Sequence, residues 1–264
     1  MRINIDSMKP GIKKPPILCI AGFDPTGGAG ILADARIVAS YGFPCAGAIT
    51  AIANQTHETG IAVFPIPENV FEESLIAALS LNPAAVKIGM LANEKIVGIA
   101  AKHLRKLEKL PIISDIVIES SSGMTLLNKE GIEAFESELV PILSLIKPNW
   151  SEAEKLSGTK IKTIEDAVVV AKFLNEKYSV PVLLSGGHSN GEPLDILASE
   201  EGIVTFGGKR IHKNFRGTGC ATTSAIAAEM AQGKGLTEAI KSAKEFLFNA
   251  MQNSKPPYIT FDKE

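Results

Sequence analysis

Short, mostly apolar runs that stop at glycine or proline recur along the chain, and they set the tightest limit on its fold. Ile17–Gly22, Ala46–Ala53, Ala85–Gly89, Pro111–Ile118, Ser144–Lys147 and Val180–Leu184 are such runs. A strand without polar alternation is buried on both faces, as in a parallel sheet covered by helices. Helical spacing fills the gaps, over Ile31–Tyr41, residues 68–80, Asn93–Leu107, Asn149–Ser157, Thr163–Tyr178 and Leu236 to about Asn253. Thr163 with Asp166 three residues on has the form of an N-terminal capping box. Ile61–Ile66 carries Pro65 and is expected at a sheet edge. Residues 193–198 and 202–206 read as two antiparallel strands around Glu201-Gly202. Strand and helix alternate with no linker and no repeat. The pattern predicts one α/β domain over residues 1–264, with residues 1–16 as an N-terminal arm or lead-in strand.

Charge narrows the function. Lys and Arg number 27 against 29 Asp and Glu, a net charge of −2. A nucleic-acid-binding domain would be clearly basic. No apolar run is long enough to span a bilayer, and the N-terminus has no signal-peptide core. Cys19, Cys45 and Cys220 are odd in number and widely spaced, which suits a reducing cytoplasm and argues against a disulfide framework or a structural zinc site. Cys19 and Cys45 sit in or beside apolar runs and are expected as buried core thiols.

Ligands of parallel sheets bind at the carboxyl ends of the strands. Asp24–Gly30, Asn54–His57, Asn149–Glu152, Gly186–His188 and Gly217–Cys220 should gather there. Gly217-Thr218-Gly219-Cys220 opens an Ala-rich helix. Its glycines allow a tight turn, and its N–H groups and dipole suit a phosphate or an oxyanion. In that first turn Cys220 is expected to favour thiolate. The Asp24–Gly30 loop lacks both the Gly-Lys-Ser/Thr ending of a P-loop and the third glycine of a dinucleotide fingerprint.

Asn149 and Glu152 share a helix face and suit Mg²⁺ through hard oxygens; equally, they suit an N-cap with its capping-box partner. Asp34 is either a helix-start carboxylate or an acceptor for a substrate hydroxyl or amine. Gln55 offers a donor and an acceptor to a heterocycle edge, or else is a surface glutamine. His188 is a nucleotide contact or an exposed loop residue. Asp115, alone in an apolar run, needs a partner such as a metal or a metal-bound water. The set favours phosphoryl transfer. Hydrolysis by a Cys-His pair is the rival, and none of the four histidines marks itself as the partner of Cys220.

Six ordered motifs between residues 17 and 253 carry a resemblance. They are Ala21-Gly22-Phe23-Asp24-Pro25-Thr26-Gly27-Gly28-Ala29-Gly30-Ile31 with Ala33-Asp34, Thr50-Ala51-Ile52 leading to Gln55, Lys87-Ile88-Gly89-Met90-Leu91, Pro148-Asn149 with Glu152-Ala153-Glu154, Gly186-Gly187-His188 and Gly217-Thr218-Gly219-Cys220. Together they resemble the hydroxymethylpyrimidine/phosphomethylpyrimidine kinases of thiamine biosynthesis, in the ribokinase-like superfamily. The resemblance implies a three-layer α/β/α sandwich around a mostly parallel sheet, and an enzyme using ATP and Mg²⁺. The implied reaction phosphorylates 4-amino-5-hydroxymethyl-2-methylpyrimidine and then its monophosphate. It also implies that Gly22, Asp34 and Gln55 hold the aminopyrimidine with Met90 packed on it. Asn149 and Glu152 would serve Mg²⁺ and phosphate, and Gly217, Thr218 and Gly219 the anion hole, with Cys220 as catalytic base. Ser185, Gly187 and Lys244 fall on the nucleotide side. The expected partners are small molecules, with a homodimer an allowed assembly and no fused thiamine-pathway domain after Glu264. Phe23, Ile116 and Ile118, Ser121, Ser185 and Arg216 depart from the family's usual residues; Ser185 removes a lysine and Arg216 adds a cation beside the anion hole. Pyridoxal kinase, of the same fold, is the alternative enzyme, and a catalytically weakened pyrimidine binder the alternative of another class.

Overall fold

The computed structural model describes residues 14–56, 60–107, 109–120, 123–186, 192–213 and 215–261. The expected N-terminal arm lies mainly outside these residues, as do Gly187 and His188. The strands are β1 (Ile17–Phe23), β2 (Cys45–Gln55), β3 (Gly60–Pro65), β4 (Ala85–Ile88), β5 (Ile112–Ser114), β6 (Leu145–Ile146), β7 (Val182–Leu184), β8 (Leu194–Ser199) and β9 (Gly202–Gly207). They form one sheet in the order β3-β2-β1-β4-β5-β6-β7-β8-β9. From β2 to β7 every pairing is parallel; β3 and the β8–β9 hairpin add antiparallel edges. Pro65 sits on the edge strand, where a missing N–H leaves no interior ladder bond open.

The helices are α1 (Gly30–Ser40), α2 (Glu68–Leu79), α3 (Glu94–Leu104), α4 (Lys129–Ala134), α5 (Trp150–Ser157), α6 (Ile164–Tyr178), α7 (Thr218–Ala231) and α8 (Leu236–Asn253). Period-two alternation sorts strand side chains between two layers. Leu18 and Ile20 face α2, α3, α5 and α6, whereas Ile17 and Cys19 face α1, α7 and α8. No helix of the described residues is long and apolar enough to cross a membrane.

Local signals behave as their chemistry requires. The Thr163 hydroxyl accepts from the Asp166 N–H while Asp166 accepts from the Thr163 N–H, closing the capping box. One expectation is corrected. Cys45 is exposed, because β2 begins one strand from the sheet edge, and Cys19 alone of that pair is buried. Residues 129–142 form α4, a π-helical turn over Phe135–Leu139 and a 3₁₀ turn over Val140–Ile142. That changing pitch, with Gly131 and Pro141 inside it, has no steady 3.6-residue period to read.

Phe71 of α2 is fully buried in the larger apolar layer. Phe71→Ala is expected to lower stability by about 3–5 kcal/mol, read from the denaturant midpoint. A loss under about 1 kcal/mol would show that this layer closes over the gap.

Candidate active site

Helix α7 starts from Gly217, whose φ of +68° is left-handed. A Cβ there would stand 2.2 Å from the Gly28 carbonyl oxygen. The loops after β1 and before α7 therefore touch backbone to backbone, which only glycine permits. On the far side of that contact, Asp24 shapes its loop by accepting from the Thr26 N–H and hydroxyl and from the Ala29 N–H. The N–H groups of Thr218, Gly219 and Cys220 precede the first intrahelical bond, from Ala221 to Gly217, and Cys220 shares a pocket with Gly22 and Gln55 at the carboxyl ends of β1 and β2.

This pocket is a cavity lined by Gly22, Gln55, Lys87, Met90, Val117, Leu126 and Cys220. Four of the residues read from the sequence (Gly22, Gln55, Met90 and Cys220) thus share one pocket. Gly22 makes room for Met90, since a Cβ on it would fall 2.5 Å from the Met90 methyl. Buried Thr50 donates to the Met90 carbonyl at 2.6 Å and fixes the turn after β4. A wider cleft of about 590 Å³ opens at the amino ends of the strands, near Pro181 and Leu236; it gathers none of the residues read from the sequence.

Asp34 is fully buried and is not part of the cavity lining; its carboxylate accepts from Lys87 Nζ at 2.7 and 2.9 Å and from the Ser224 hydroxyl at 2.8 Å. Lys87, which lines the cavity, ties it to the pocket. Burial opposes the Lys87 ammonium, but Asp34, Cys220 and Asp115 outweigh it and hold the lysine's pKa above its ordinary value.

The resting state of Cys220 is corrected. Burial of the thiol, with Asp115 and Asp34 adding to it, outweighs Lys87 and Lys147 and pushes its pKa up to about 12. The free site holds a thiol, not the thiolate that a helix N-terminus alone would favour.

Gln55 faces the cavity with one side of its amide already engaged. Arg216 donates to its side-chain oxygen at 3.2 Å and to the Thr56 carbonyl at 2.7 Å. Arginine has donors only, so the oxygen must face it and the amide nitrogen must turn away.

Asn149 and Glu152 are a capping box: the Asn149 side chain accepts from the Glu152 N–H at 3.0 Å, and the Glu152 carboxylate from the Asn149 N–H at 2.8 Å. Asp115 lies just past β5, and its carboxylate is paired with Lys147 at 2.9 Å. Burial first, and then the Asp115 charge, raise Glu152 to about 8. Ser185 pairs with Asn149 across a single bridge, its hydroxyl donating to the Pro148 carbonyl at 3.3 Å. Lys244 of α8 is committed to Asp195 and the Phe206 carbonyl, and Asp195 in turn accepts from the Gly186 N–H. Lys244 is therefore linked to the Gly186 backbone through Asp195. Sequence reasoning missed the working positions of Lys87 and Lys147, although each is a lone charge at a strand that is otherwise apolar.

A family model described as phosphomethylpyrimidine kinase matches residues 24–258. The chain belongs to the phosphomethylpyrimidine kinase family. A hydroxymethylpyrimidine/phosphomethylpyrimidine kinase of Aquifex aeolicus is 42% identical over 241 residues, covering 90% of this chain and 94% of the relative. The crystal structure of a phosphomethylpyrimidine kinase from Clostridium difficile 630 superposes with a TM-score of 0.79 at 32% identity, over 90% of this chain and all of that one. A Staphylococcus aureus pyridoxal kinase in complex with pyridoxal gives 0.84 at 29% identity, over 94% and 93% of the two chains. The ribokinase-like sandwich expected from the sequence is the fold that this phosphomethylpyrimidine kinase family member shares with both solved structures.

Proposed function

We propose that this protein transfers the γ-phosphoryl group of ATP to the hydroxymethyl group of 4-amino-5-hydroxymethyl-2-methylpyrimidine, and then to the monophosphate so formed, in thiamine biosynthesis. The observation that carries the reading is the single pocket shared by Gly22, Gln55, Met90 and Cys220, at the N-terminus of α7, in a chain of this family. Met90, Val117 and Leu126 offer apolar walls to a flat ring, and Gln55 an amide to its polar edge. The Gly217–Cys220 turn stabilises charge growing on the transferred group, which is where such an enzyme obtains most of its acceleration. Cys220 accepts the proton of the attacking hydroxyl.

Asp115 is already balanced by Lys147, and Glu152, whose pKa burial and Asp115 raise to about 8, would give up its proton to a hard dication, which would offset the two carboxylates together. Mg²⁺ would be held there by Glu152 and Asn149, largely through water; when bound it neutralises nucleotide phosphates. On the nucleotide side Ser185 lies next to Asn149, and Lys244 acts through Asp195, which accepts from the Gly186 N–H. The three free cysteines suit a cytoplasmic enzyme.

Mass spectrometry of products after incubation with Mg–ATP tests the two steps, with the pyrimidine monophosphate appearing first and the diphosphate after it. Absence of the diphosphate when the monophosphate is supplied would restrict the reading to the first step. Pyridoxal kinase is kept as a second reading because the S. aureus enzyme superposes at 0.84, so backbone shape does not separate the two.

Arg216 yields a further expectation. Arg216→Met frees the Gln55 amide to rotate, so KM for the pyrimidine should rise about tenfold, the worth of one charge-assisted hydrogen bond, with kcat nearly unchanged. An unchanged KM would mean that Gln55 is oriented by other contacts.

A further inference from the structure

Lys87 occupies the middle of β4, paired with Cys19 of β1, and its side chain has no exposure. An ammonium so placed gives up all its hydration, and replacing a buried ion pair with apolar residues is often neutral or stabilising. Stability alone does not account for a lysine here, whereas a buried, charge-coupled group in a pocket marks function.

Its surroundings hold the charge in place. Asp34 of α1 takes the ammonium at 2.7 and 2.9 Å. Asp34 also accepts from Ser224 at 2.8 Å, and Ser224 lies one turn beyond Cys220 on the same face of α7. One carboxylate thus anchors both the ammonium and the helix that carries the thiol. Gly89 leaves the space: a Cβ there would sit 2.9 Å from Lys87 Nζ. Lys87 and Cys220 line the same cavity. The charged groups acting on Cys220 are Lys87 of β4, Asp115 after β5, Asp34 of α1 and Lys147 after β6, with Lys87 the strongest of them.

We propose that Lys87 is the counter-ion of Cys220: its ammonium, held by Asp34 in the pocket that the two residues line, stabilises the thiolate that takes the substrate's proton. The inference rests on the proposed kinase reading. The Cys220 thiol first loses its proton to solvent. The thiolate then takes the hydroxymethyl proton as that oxygen bonds to the γ-phosphorus. The bond from phosphorus to the β,γ-bridging oxygen breaks, its electron pair leaves with ADP, and the thiol is restored. Lys87 touches no bond that changes, so it is a positioning residue.

The test is iodoacetamide alkylation of Cys220 in the full chain without ligands, followed by site-resolved mass spectrometry across pH. In Lys87→Met, alkylation at a given pH should slow at least tenfold and its pH profile should move upward; kcat should fall while KM for the pyrimidine holds within about threefold. An unmoved profile in folded Lys87→Met overturns the proposal. Should that variant unfold because Asp34 is stranded, the double variant Lys87→Met, Asp34→Leu removes both charges. It should still alkylate Cys220 more slowly than the wild type, and wild-type alkylation in a folded double variant overturns the proposal equally. Alkylation needs no substrate. A silent kinase assay of the wild-type protein with a shifted Lys87→Met profile would reject the function and keep the counter-ion.

Discussion

Cys220→Ala should lower kcat by between about a hundred- and ten-thousand-fold, the range removed with a positioned acid or base, while the protein stays folded. The fold should survive because Cys220 lies in the first turn of α7, lines a cavity and is only half-buried, so alanine leaves no closed void and suits a helix. KM for the pyrimidine should change little, since proton acceptance belongs to the transition state. Steady-state kinetics beside a thermal melt separate the outcomes. Near-normal turnover in the folded variant would remove Cys220 from the chemistry, and with it the reason for a charged lysine beneath it.

Gly217→Ala should have the next largest effect. The new Cβ would stand 2.2 Å from the Gly28 carbonyl oxygen, backbone that cannot rotate aside, at a φ of +68° that L-residues resist. The left-handed conformation costs about 1–2 kcal/mol, and the clash adds to it by pushing the two loops apart. A shift of about 1 Å in a positioning element is enough to lose about a hundredfold in rate. We therefore expect at least that loss of kcat, with a denaturant midpoint lowered by the equivalent of about 1–3 kcal/mol. Gly208→Ala is the comparison, because a Cβ there meets nothing within 4 Å; its stability should stay within about 0.5 kcal/mol of the wild type. A Gly217→Ala protein as active as Gly208→Ala would show that the interlocked loops are not what seats the helix end.

The layers of this fold were legible because strand and helix signals agree with the burial they lead to. Ile17 to Ala21 is apolar at every position and is buried at every position, so periodicity and environment coincide. Thr163 with Asp166, and Asn149 with Glu152, announced helix starts that the backbone then uses. Residues 129–142 were not legible, because their pitch shifts twice within fourteen residues. At the site, the sequence pointed to residues that come to share one pocket but not to who pairs with whom. Asp115 drew notice as a lone charge in an apolar run, and its partner proved to be Lys147, a residue from the end of another strand. The same reasoning applied to Lys87 would have paired it with a carboxylate, and Asp34 is that carboxylate, 53 residues away in the chain. Spacing along the chain cannot see such a pair; the packing of α1 against the sheet brings it together. The Cys220 thiol was misjudged for a related reason: the helix N-terminus is visible in sequence, whereas burial and the charges of Asp115 and Asp34 are not.

Steady-state ADP release with Mg–ATP, comparing hydroxymethylpyrimidine, its monophosphate and pyridoxal under the same conditions, tests the central claim most directly. The account predicts turnover on both pyrimidines at a higher kcat/KM than on pyridoxal. Turnover on pyridoxal alone, or binding of the pyrimidine with no ADP released, would contradict it.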